Sequence, residues 1–488
     1  VDRVMQDNLD VAVETLKGLK LSQEQAQLLL GKCIFVSFLE HRGMVGEHYR
    51  ERHKVGQLLD LLHAGDGRGL DRLFRRLKSD FNGDLLEIEG GSNVDWRTLP
   101  AKVLDLLAQF LLHTRLRDQQ RSLWPYDFNY IPVELLSGIY ETFLGGAQRE
   151  MGAFYTPRHL AALAVDEAFR GIEKPWQEVV LDGACGSGIL LTSAYRRMLG
   201  ARRASLQREL RYEERQDVLL TGIRGGDTSS AACKVTAFRL YLALLEDLAP
   251  SDIARLQEDQ EVKLPPLMGK VLTRDGQGDF FSARNAVAKP GGATILLSNP
   301  PWFEPRGEDE RSYERWWMQR FNTPLPRRQI ALAFARRASE VVKVGGRICL
   351  LLPVSTLGAA SAGAYLKDWF REVAPQRLIN LADMRFVLFE GADHPTLVFT
   401  GERRSEDAQR IPPRESFEYL VPKADISLAF GRLTAHSFDR KRLLLFFYVG
   451  FTLGTALCAA AQTYHVLLLG RIVTGLFGGV IGAVVLAI

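Results

Sequence analysis

Thr294-Ile295-Leu296-Leu297-Ser298-Asn299-Pro300-Pro301-Trp302 is the stretch on which the reading of this chain turns. Thr294 to Leu297 is a short apolar run with β-branched residues, the pattern of a buried strand. The strand has to end at Ser298-Asn299, because neither Pro300 nor Pro301 has an N–H to give to a ladder. The chain therefore leaves the sheet at a stiff corner. That corner presents an amide side chain (Asn299), a free carbonyl (Pro300) and an indole face (Trp302). In an open α/β sheet, the crevice beyond the strand ends is where ligands bind. Asn299 Oδ1 and the Pro300 carbonyl are two acceptors at a fixed separation, the complement of a planar NH2 group. Holding both N–H bonds draws that nitrogen towards a tetrahedral shape and frees its lone pair for attack. Trp302 offers a platform for the ring that carries the amine. The alternative is a plain strand-to-loop corner with a structural asparagine cap.

Upstream, Val179-Val180-Leu181 reads as a second buried strand, closed by Asp182-Gly183-Ala184-Cys185-Gly186-Ser187-Gly188 and followed by a helical pattern through Ile189, Leu190, Ala194 and Met198. Strand, glycine loop and helix form the mononucleotide-binding unit of doubly wound folds. Glycines let the backbone approach a ligand with no Cβ in the way. The spacing is G-x-x-G-x-G, and no Gly-Lys-Ser/Thr follows, so it is neither the dehydrogenase fingerprint nor a phosphate-cradling P-loop.

Together, Asn299-Pro300-Pro301-Trp302 and the 182–188 loop resemble the amino-directed, adenine-specific (N6) DNA methyltransferases of the gamma arrangement, of restriction-modification type, over residues ~126–400. The resemblance implies a Rossmann-like, S-adenosylmethionine-dependent α/β sheet and double-stranded DNA with a flipped adenine as substrate. It implies a specificity or nuclease subunit as partner, and a cytoplasmic catalytic part. Asn299, Pro300, Pro301 and Trp302 take the catalytic positions. Asp182, Gly183, Ala184, Cys185, Gly186 and Gly188 match the cofactor loop, with Gly183 where the family usually has proline. Phe154-Tyr155-Thr156 precedes Pro157, and Thr156 is placed to cap a helix running through Leu160 and Leu163; the resemblance gives Phe154, Tyr155 and Thr156 the methionine end of the cofactor. Asp227, after a strand expected at Leu219 to Ile223, takes the ribose hydroxyls; a helix cap is its alternative. Asp279 and Phe280, in Gly278-Asp279-Phe280-Phe281, border the cofactor adenine and the target base; a loop with an aspartate turn is their alternative. Relatives with the same corner methylate RNA bases or a protein glutamine. A non-catalytic DNA-binding remnant is a further alternative, since the target-recognition domain expected after the sheet is replaced here by an apolar tail.

The rest of the chain is read around that centre. With 488 residues it has room for two or three domains, and a net charge of +4 (62 basic against 58 acidic) permits a local nucleic-acid surface without demanding one. Five dispersed cysteines form no C-x-x-C pair and fit a reducing compartment rather than a zinc site; no metal is called for. Residues 1–147 read as a helical N-terminal domain, with a capping box at Ser22-Gln25 and a later helix from Pro132 to Phe143. Residues 148–402 are the catalytic domain. Residues 200–218 read as a solvated insertion. Arg306 to Arg320, with Tyr313, Trp316 and Trp317, suits contact with a single strand or a flipped base, and equally suits a mobile surface loop. Ile348 to Pro353, Leu378 to Leu381 and Thr396 to Phe399 are further strands. Phe389 to Pro395 matches the family's closing segment, with His394 structuring the loop. Residues 403–429 are a linker or a strand pair. From 430 to 488, Arg440-Lys441-Arg442 precedes uncharged Leu443 to Ala461, and Val466 to Ile488 is broken only by Arg471. These are expected to be two transmembrane helices, with membrane contact through 443–488. They resemble a fragment of a major facilitator superfamily transporter, as a fused or truncated reading frame would leave.

Overall fold

The computed structural model describes residues 2–80, 94–114, 116–117, 126, 156–246, 248, 252, 264–302, 311–358, 363–388, 395–409, 416–423 and 440–486. The chain falls into two compact units, Val1–Cys349 and Leu350–Ile488.

The first unit opens on helices α1 (Asp2–Gly18), α2 (Gln23–His41), α3 (Glu47–His53), α4 (Leu58–His63), α5 (Gly67–Asp80) and α6 (Ala101–Leu111). The expected capping box starts α2: Ser22 Oγ accepts from Gln25 N–H at 3.1 Å, and Gln25 Oε1 accepts from Ser22 N–H at 2.9 Å. Each bond satisfies a donor that the helix start leaves open. Buried Asn8 ties α1 to the segment after α6, donating to the Thr114 carbonyl at 2.9 Å and accepting from Leu116 N–H at 2.8 Å. The helix expected from Pro132 to Phe143 lies outside the described residues.

Four strands then build the part of the sheet that matters for the site: β1 (Val180–Asp182), β2 (Ile223–Gly226), β3 (Leu272–Thr273) and β4 (Ala293–Ser298). A fifth, β5 (Val342–Pro353), carries the chain across the division between the units. The order in the first unit is β3-β2-β1-β4-β5. Strand β1 pairs in parallel with β2 on one side (Leu181 opposite Arg224) and with β4 on the other (Leu181 opposite Leu296). The chain thus moves outward from β1 through β2 to β3 and then returns to β4 on the far side of β1. That reversal is a topological switch point, where parallel sheets open a crevice at their carboxyl ends. Around the sheet lie helices α7 (Arg158–Ala168), α8 (Ile189–Leu206), α9 (Tyr212–Gly222), α10 (Ser230–Leu245), α11 (Ser312–Phe321) and α12 (Ile330–Val341). Helix α8 packs against β1, β2 and β4, with Leu190, Leu191, Ala194 and Met198 buried.

Two local expectations are corrected. Leu219 to Gly222 ends helix α9, and the strand runs instead over Ile223-Arg224-Gly225-Gly226. Glycines are poor strand formers, but this strand has no room for anything larger: a Cβ on Gly225 would stand 2.7 Å from Leu191 Cδ1 and 2.8 Å from Leu272 Cδ2. Nor is the 200–218 segment a solvated insertion throughout. Arg215 is buried and donates from Nε to the Leu244 carbonyl and from Nη2 to the Ala243 carbonyl, both at 2.9 Å, tying α9 to the end of α10.

In the second unit, β6 (Val373–Asn380) pairs antiparallel with β7 (Thr396–Arg403) and parallel with β8 (Glu418–Leu420). Within 403–429, Glu418–Leu420 is therefore strand, in keeping with the second of the two readings of that segment. Helix α13 (Gly363–Glu372) sets Trp369, fully buried, against Phe399 with ring centroids 4.6 Å apart. The closing segment from Phe389 to His394 lies outside the described residues.

The apolar tail forms helices α14 (Arg440–Ala459) and α15 (Tyr464–Leu486), which pack on each other through glycines. A Cβ on Gly450 would lie 2.2 Å from the Phe477 ring, and one on Gly454 would lie 2.7 Å from the Thr474 backbone nitrogen. The expectation of transmembrane helices is corrected: among the described residues no helix is long and apolar enough to cross a membrane. Helix α14 gives its first three positions to Arg440, Lys441 and Arg442, and α15 opens on Tyr464 and His465 and carries Arg471. Each therefore has a shorter uncharged run than its length suggests.

The glycine before Asp279 gives a stability test. A Cβ on Gly278 would stand 1.9 Å from the Asp227 carbonyl oxygen, a backbone atom that cannot rotate away. Gly278→Ala is expected to destabilise the protein by about 1–3 kcal/mol, the usual cost of overpacking, seen as a lower urea midpoint at an unchanged slope.

Candidate active site

Parallel pairing brings three strand ends side by side, so the loops that follow β1, β2 and β4 open at the same edge. A cavity of about 390 Å3 lies there. It is lined by Asp182 to Ser187 from the first loop, Asp227 to Ser229 from the second and Asn299 to Trp302 from the third. Thr156, Ile189, Leu190, Gly278 to Phe281, Arg311 to Tyr313, Ile330 and Phe334 complete it.

The strand ends are fastened by side chains. Ser298 Oγ donates to Asp182 Oδ1 at 2.6 Å, and both residues are buried. The same oxygen accepts from Ala184 N–H at 3.1 Å, which turns the glycine loop. Asp227 links the first two loops: Oδ2 accepts from Gly186 N–H at 3.0 Å and Oδ1 from Ser229 N–H at 2.8 Å. The cap of α10 is Ser229, whose Oγ accepts from Ala232 N–H, and not Asp227. Gly188 does not line the cavity. It sits at φ +79°, where glycine is favoured, and a Cβ there would stand 2.7 Å from the Thr236 side chain. Cys185 is buried beside Cys233, and that neighbour together with burial pushes its thiol well above its usual range.

At the third loop, Asn299 Nδ2 donates to Thr156 Oγ1 at 2.9 Å. Asn299 Oδ1 is buried and has no hydrogen-bond partner among the described residues. Asp182 Oδ2 shares that condition in the same cavity. An unsatisfied buried acceptor costs about 1–3 kcal/mol, so two in one cavity mark where a ligand's donors belong. Helix α7 corrects the role expected of Thr156. Pro157 occupies the cap position and no side chain caps it, because the Thr156 hydroxyl is engaged with Asn299. Phe154 and Tyr155 lie outside the described residues.

The Asp279 element holds its shape internally. Asp279 Oδ1 accepts from Phe281 N–H at 3.0 Å, and the Asp279 carbonyl accepts from Asn285 Nδ2 at 3.2 Å. Phe280 is only 2% exposed and stacks on Phe334, with centroids 4.4 Å apart and planes 15° from parallel. On its other side, a Cβ at position 183 would stand 2.3 Å from Phe280 Cδ2. The space that a proline at 183 would need is filled by this ring, which accounts for the glycine.

Of the aromatic segment after the corner, residues 311–320 are described. Trp316 packs on Phe281 at 5.4 Å, and Trp317 is buried against Phe321 at 4.3 Å. Helix α11 buries Tyr313 and Trp317 and leaves Trp316 half-buried, and of the three only Tyr313 lines the cavity. Sequence reasoning missed Ser187, Thr228, Ser229, Phe281, Ile330 and Phe334 as lining residues. The first four adjoin motifs it did single out. Ile330 and Phe334 carry no local signal beyond the apolar face of α12.

Residues 133–242 match the N-6 DNA Methylase family model. The match takes in Thr156, the 182–188 loop and Asp227, and ends before Asn299. Residues 425–486 match the Sugar (and other) transporter model. A relative in Heyndrickxia coagulans, described as type II restriction enzyme and methyltransferase RM.BcgI, is 24% identical over 227 residues, covering 46% of this chain and 28% of that protein. The chain thus aligns with under a third of that relative's length. Among solved structures, the methyltransferase subunit of a type I restriction-modification system from Streptococcus thermophilus superposes with a TM-score of 0.50 at 17% identity, over 83% of this chain and 85% of that one. The type IIL restriction-modification enzyme MmeI, solved in complex with DNA, gives a TM-score of 0.51 at 12% identity, over 83% and 58%. These likenesses establish a shared α/β fold.

Burial pushes the Asp182 carboxyl up to about 7, against the opposing pull of Ser298 and the Ala184 N–H. A carboxyl raised in the folded state from 3.8 contributes stability that is complete below that value and is lost as pH rises through about 7. Relative to Asp182→Asn, the wild-type protein is expected to lose stability between pH 5 and pH 8, measured by urea unfolding at both; parallel curves would show an ordinary carboxylate.

Proposed function

We propose that this chain carries the catalytic domain of a site-specific, adenine-specific (N6) DNA methyltransferase of restriction-modification type, in residues 148–402 between a helical domain of 1–147 and the segments from 403 on. The observation that carries this reading is Asn299 Oδ1: a buried acceptor with no partner among the described residues. It lies in one cavity with Pro300, Trp302 and a glycine loop. The N-6 DNA Methylase match and the relatives named above support the choice of reaction, and the DNA-bound neighbour supports the choice of DNA.

The cavity fits S-adenosylmethionine in its donor set. The loop from Asp182 to Gly186 brings backbone close to a ligand, Asp182 Oδ2 stands ready for a donor, and Asp227 is the acid for ribose hydroxyls. Asp279 and Phe280 border the adenine. Phe154 and Tyr155 belong to the same cofactor set by resemblance, with Thr156. When bound, this cofactor supplies an electrophilic methyl group.

Asn299 Oδ1 and the Pro300 carbonyl accept the two N–H bonds of the adenine amine, holding its lone pair towards the methyl donor. Pro301 stiffens the corner, so the two acceptors keep their spacing without a conformational search. Trp302, half-buried on the cavity wall, takes one face of the base. Flipping a base out of a duplex costs a few kcal/mol, and one stacking contact returns about 1–3 kcal/mol. The surrounding apolar wall of Phe281, Ile330 and Phe334 excludes water from the transfer. A specificity or nuclease subunit is the partner this reading expects, and the cytoplasm is where its substrate is met.

Asn299→Ala is expected to lower transfer to DNA by about 100-fold or more, the scale of losing one placed group in an active site. Its cofactor affinity should stay within about threefold. Tritiated S-adenosylmethionine with mixed genomic DNA, followed by digestion and identification of N6-methyladenine, reads the first quantity, and calorimetry reads the second. Trp302→Ala should raise KM for DNA about tenfold, while Trp302→Phe keeps most of the stacking. An active Asn299→Ala protein would sink the mechanism.

A further inference from the structure

A hydroxyl has one proton and two lone pairs, and an asparagine amide has an acceptor end and a donor end. Where the two meet, the hydroxyl decides which way the amide faces. If Thr156 donates, it takes Asn299 Oδ1 and turns the NH2 into the cavity, where a target amine would meet a donor. If Thr156 accepts, it takes the NH2 and leaves Oδ1 without a partner, open to a donor from a ligand. The structure has the second arrangement, with Nδ2 donating to Thr156 Oγ1 at 2.9 Å and Oδ1 buried without a partner among the described residues. For that arrangement to be the stable one, the Thr156 proton must go elsewhere, and among the described residues no acceptor takes it. Thr156 lines the cavity at the start of α7, where a helix end favours an anion.

We infer that Thr156 is a positioning residue that sets the amide of Asn299: an anionic group of the bound cofactor accepts the Thr156 proton, which fixes the hydroxyl as an acceptor for Asn299 Nδ2 and aims Oδ1 at the substrate amine. This rests on the reading under Proposed function, and its chemical content is the carboxylate of the methionine moiety. The site is thereby ordered. Cofactor in place makes Asn299 an acceptor, and without it the amide has two orientations. Ser298, the neighbour of Asn299, is fastened to Asp182 on the cofactor loop, so both residues of the corner take their setting from the cofactor side. The sequence places Thr156 and Asn299 in separate motifs, and only the fold joins them.

The test uses the full chain, its Thr156→Ser and Thr156→Val variants, and selective 15N labelling of asparagine, with the Asn299 side-chain NH2 signal assigned by its loss in Asn299→Asp. Titration with S-adenosylhomocysteine, which carries the carboxylate and transfers nothing, is expected to shift and sharpen that signal in the wild type and in Thr156→Ser. In Thr156→Val the signal should not respond even at ligand concentrations where calorimetry shows the site filled. In turnover with mixed genomic DNA, Thr156→Val should lose about tenfold or more in kcat, the scale of one misdirected hydrogen bond, with Thr156→Ser restoring it. Decarboxylated S-adenosylmethionine should lower the wild-type kcat by a similar factor and lower that of Thr156→Val little further. A saturated Thr156→Val protein whose Asn299 signal responds as the wild type does would overturn the inference and leave the methyltransferase reading standing. A wild type that binds no S-adenosylhomocysteine would overturn that reading and the inference with it.

Discussion

Strand β1 is only three residues long, and the site depends on its being paired in parallel on both flanks. A parallel neighbour on each side forces the loops after β1, β2 and β4 to leave at one edge. It also forces the chain to reverse its direction of travel across the sheet at that point. The crevice is the geometrical result of that reversal, before any side chain is considered. The side chains then consolidate it. Ser298 joins the ends of β4 and β1 through Asp182, and Asp227 joins the loops after β2 and β1 through the Gly186 N–H. Such hydrogen bonds are worth roughly 0.5–1.5 kcal/mol each, enough together to hold three loops in a register that pairing alone would leave loose.

The polar economy of the cavity is uneven in an informative way. Asp227 has a backbone donor on each carboxylate oxygen, whereas Asp182 and Asn299 each keep one buried oxygen without a partner among the described residues. Folding normally satisfies such atoms, and sites that bind polar ligands are where the exceptions gather. The raised Asp182 carboxyl expresses the same cost in protonation terms: the fold holds a carboxyl where charge is poorly solvated, and a donor from a ligand would relieve it. The apolar side of the cavity is rigid, since Phe280 is held between Phe334 and the backbone of Gly183.

The tail makes a separate lesson. Its sequence is apolar over two long runs, and local composition correctly gives two helices. Whether such helices reach membrane length is a matter of where the helix boundaries fall. The basic residues before Leu443 are inside α14, not ahead of it. Gly450 and Gly454 let the two helices approach closely, because a missing Cβ has the same consequence in any surroundings.

What the sequence determined by itself is everything governed by neighbours in the chain. Two prolines end a strand at Asn299 whatever surrounds them, an apolar run followed by glycines at 183, 186 and 188 announces strand, turn and helix, and Ser22 with Gln25 closes its own cap. The strand lies at Ile223–Gly226 rather than Leu219–Ile223 for the converse reason: Gly225 is dictated by Leu191 and Leu272, residues far along the chain, and no local propensity encodes that. The contacts of Trp316 and Trp317, the contribution of Ile330 and Phe334, and the exclusion of a side chain at Gly183 by Phe280 likewise exist only after packing. So does the bond between Thr156 and Asn299. Hydrogen bonds and steric exclusions act over a few ångströms of space, and sequence records distance only along the chain. The motifs could therefore be read in order, but which atom of one faces which atom of another was decided by the parallel sheet that brings their ends together.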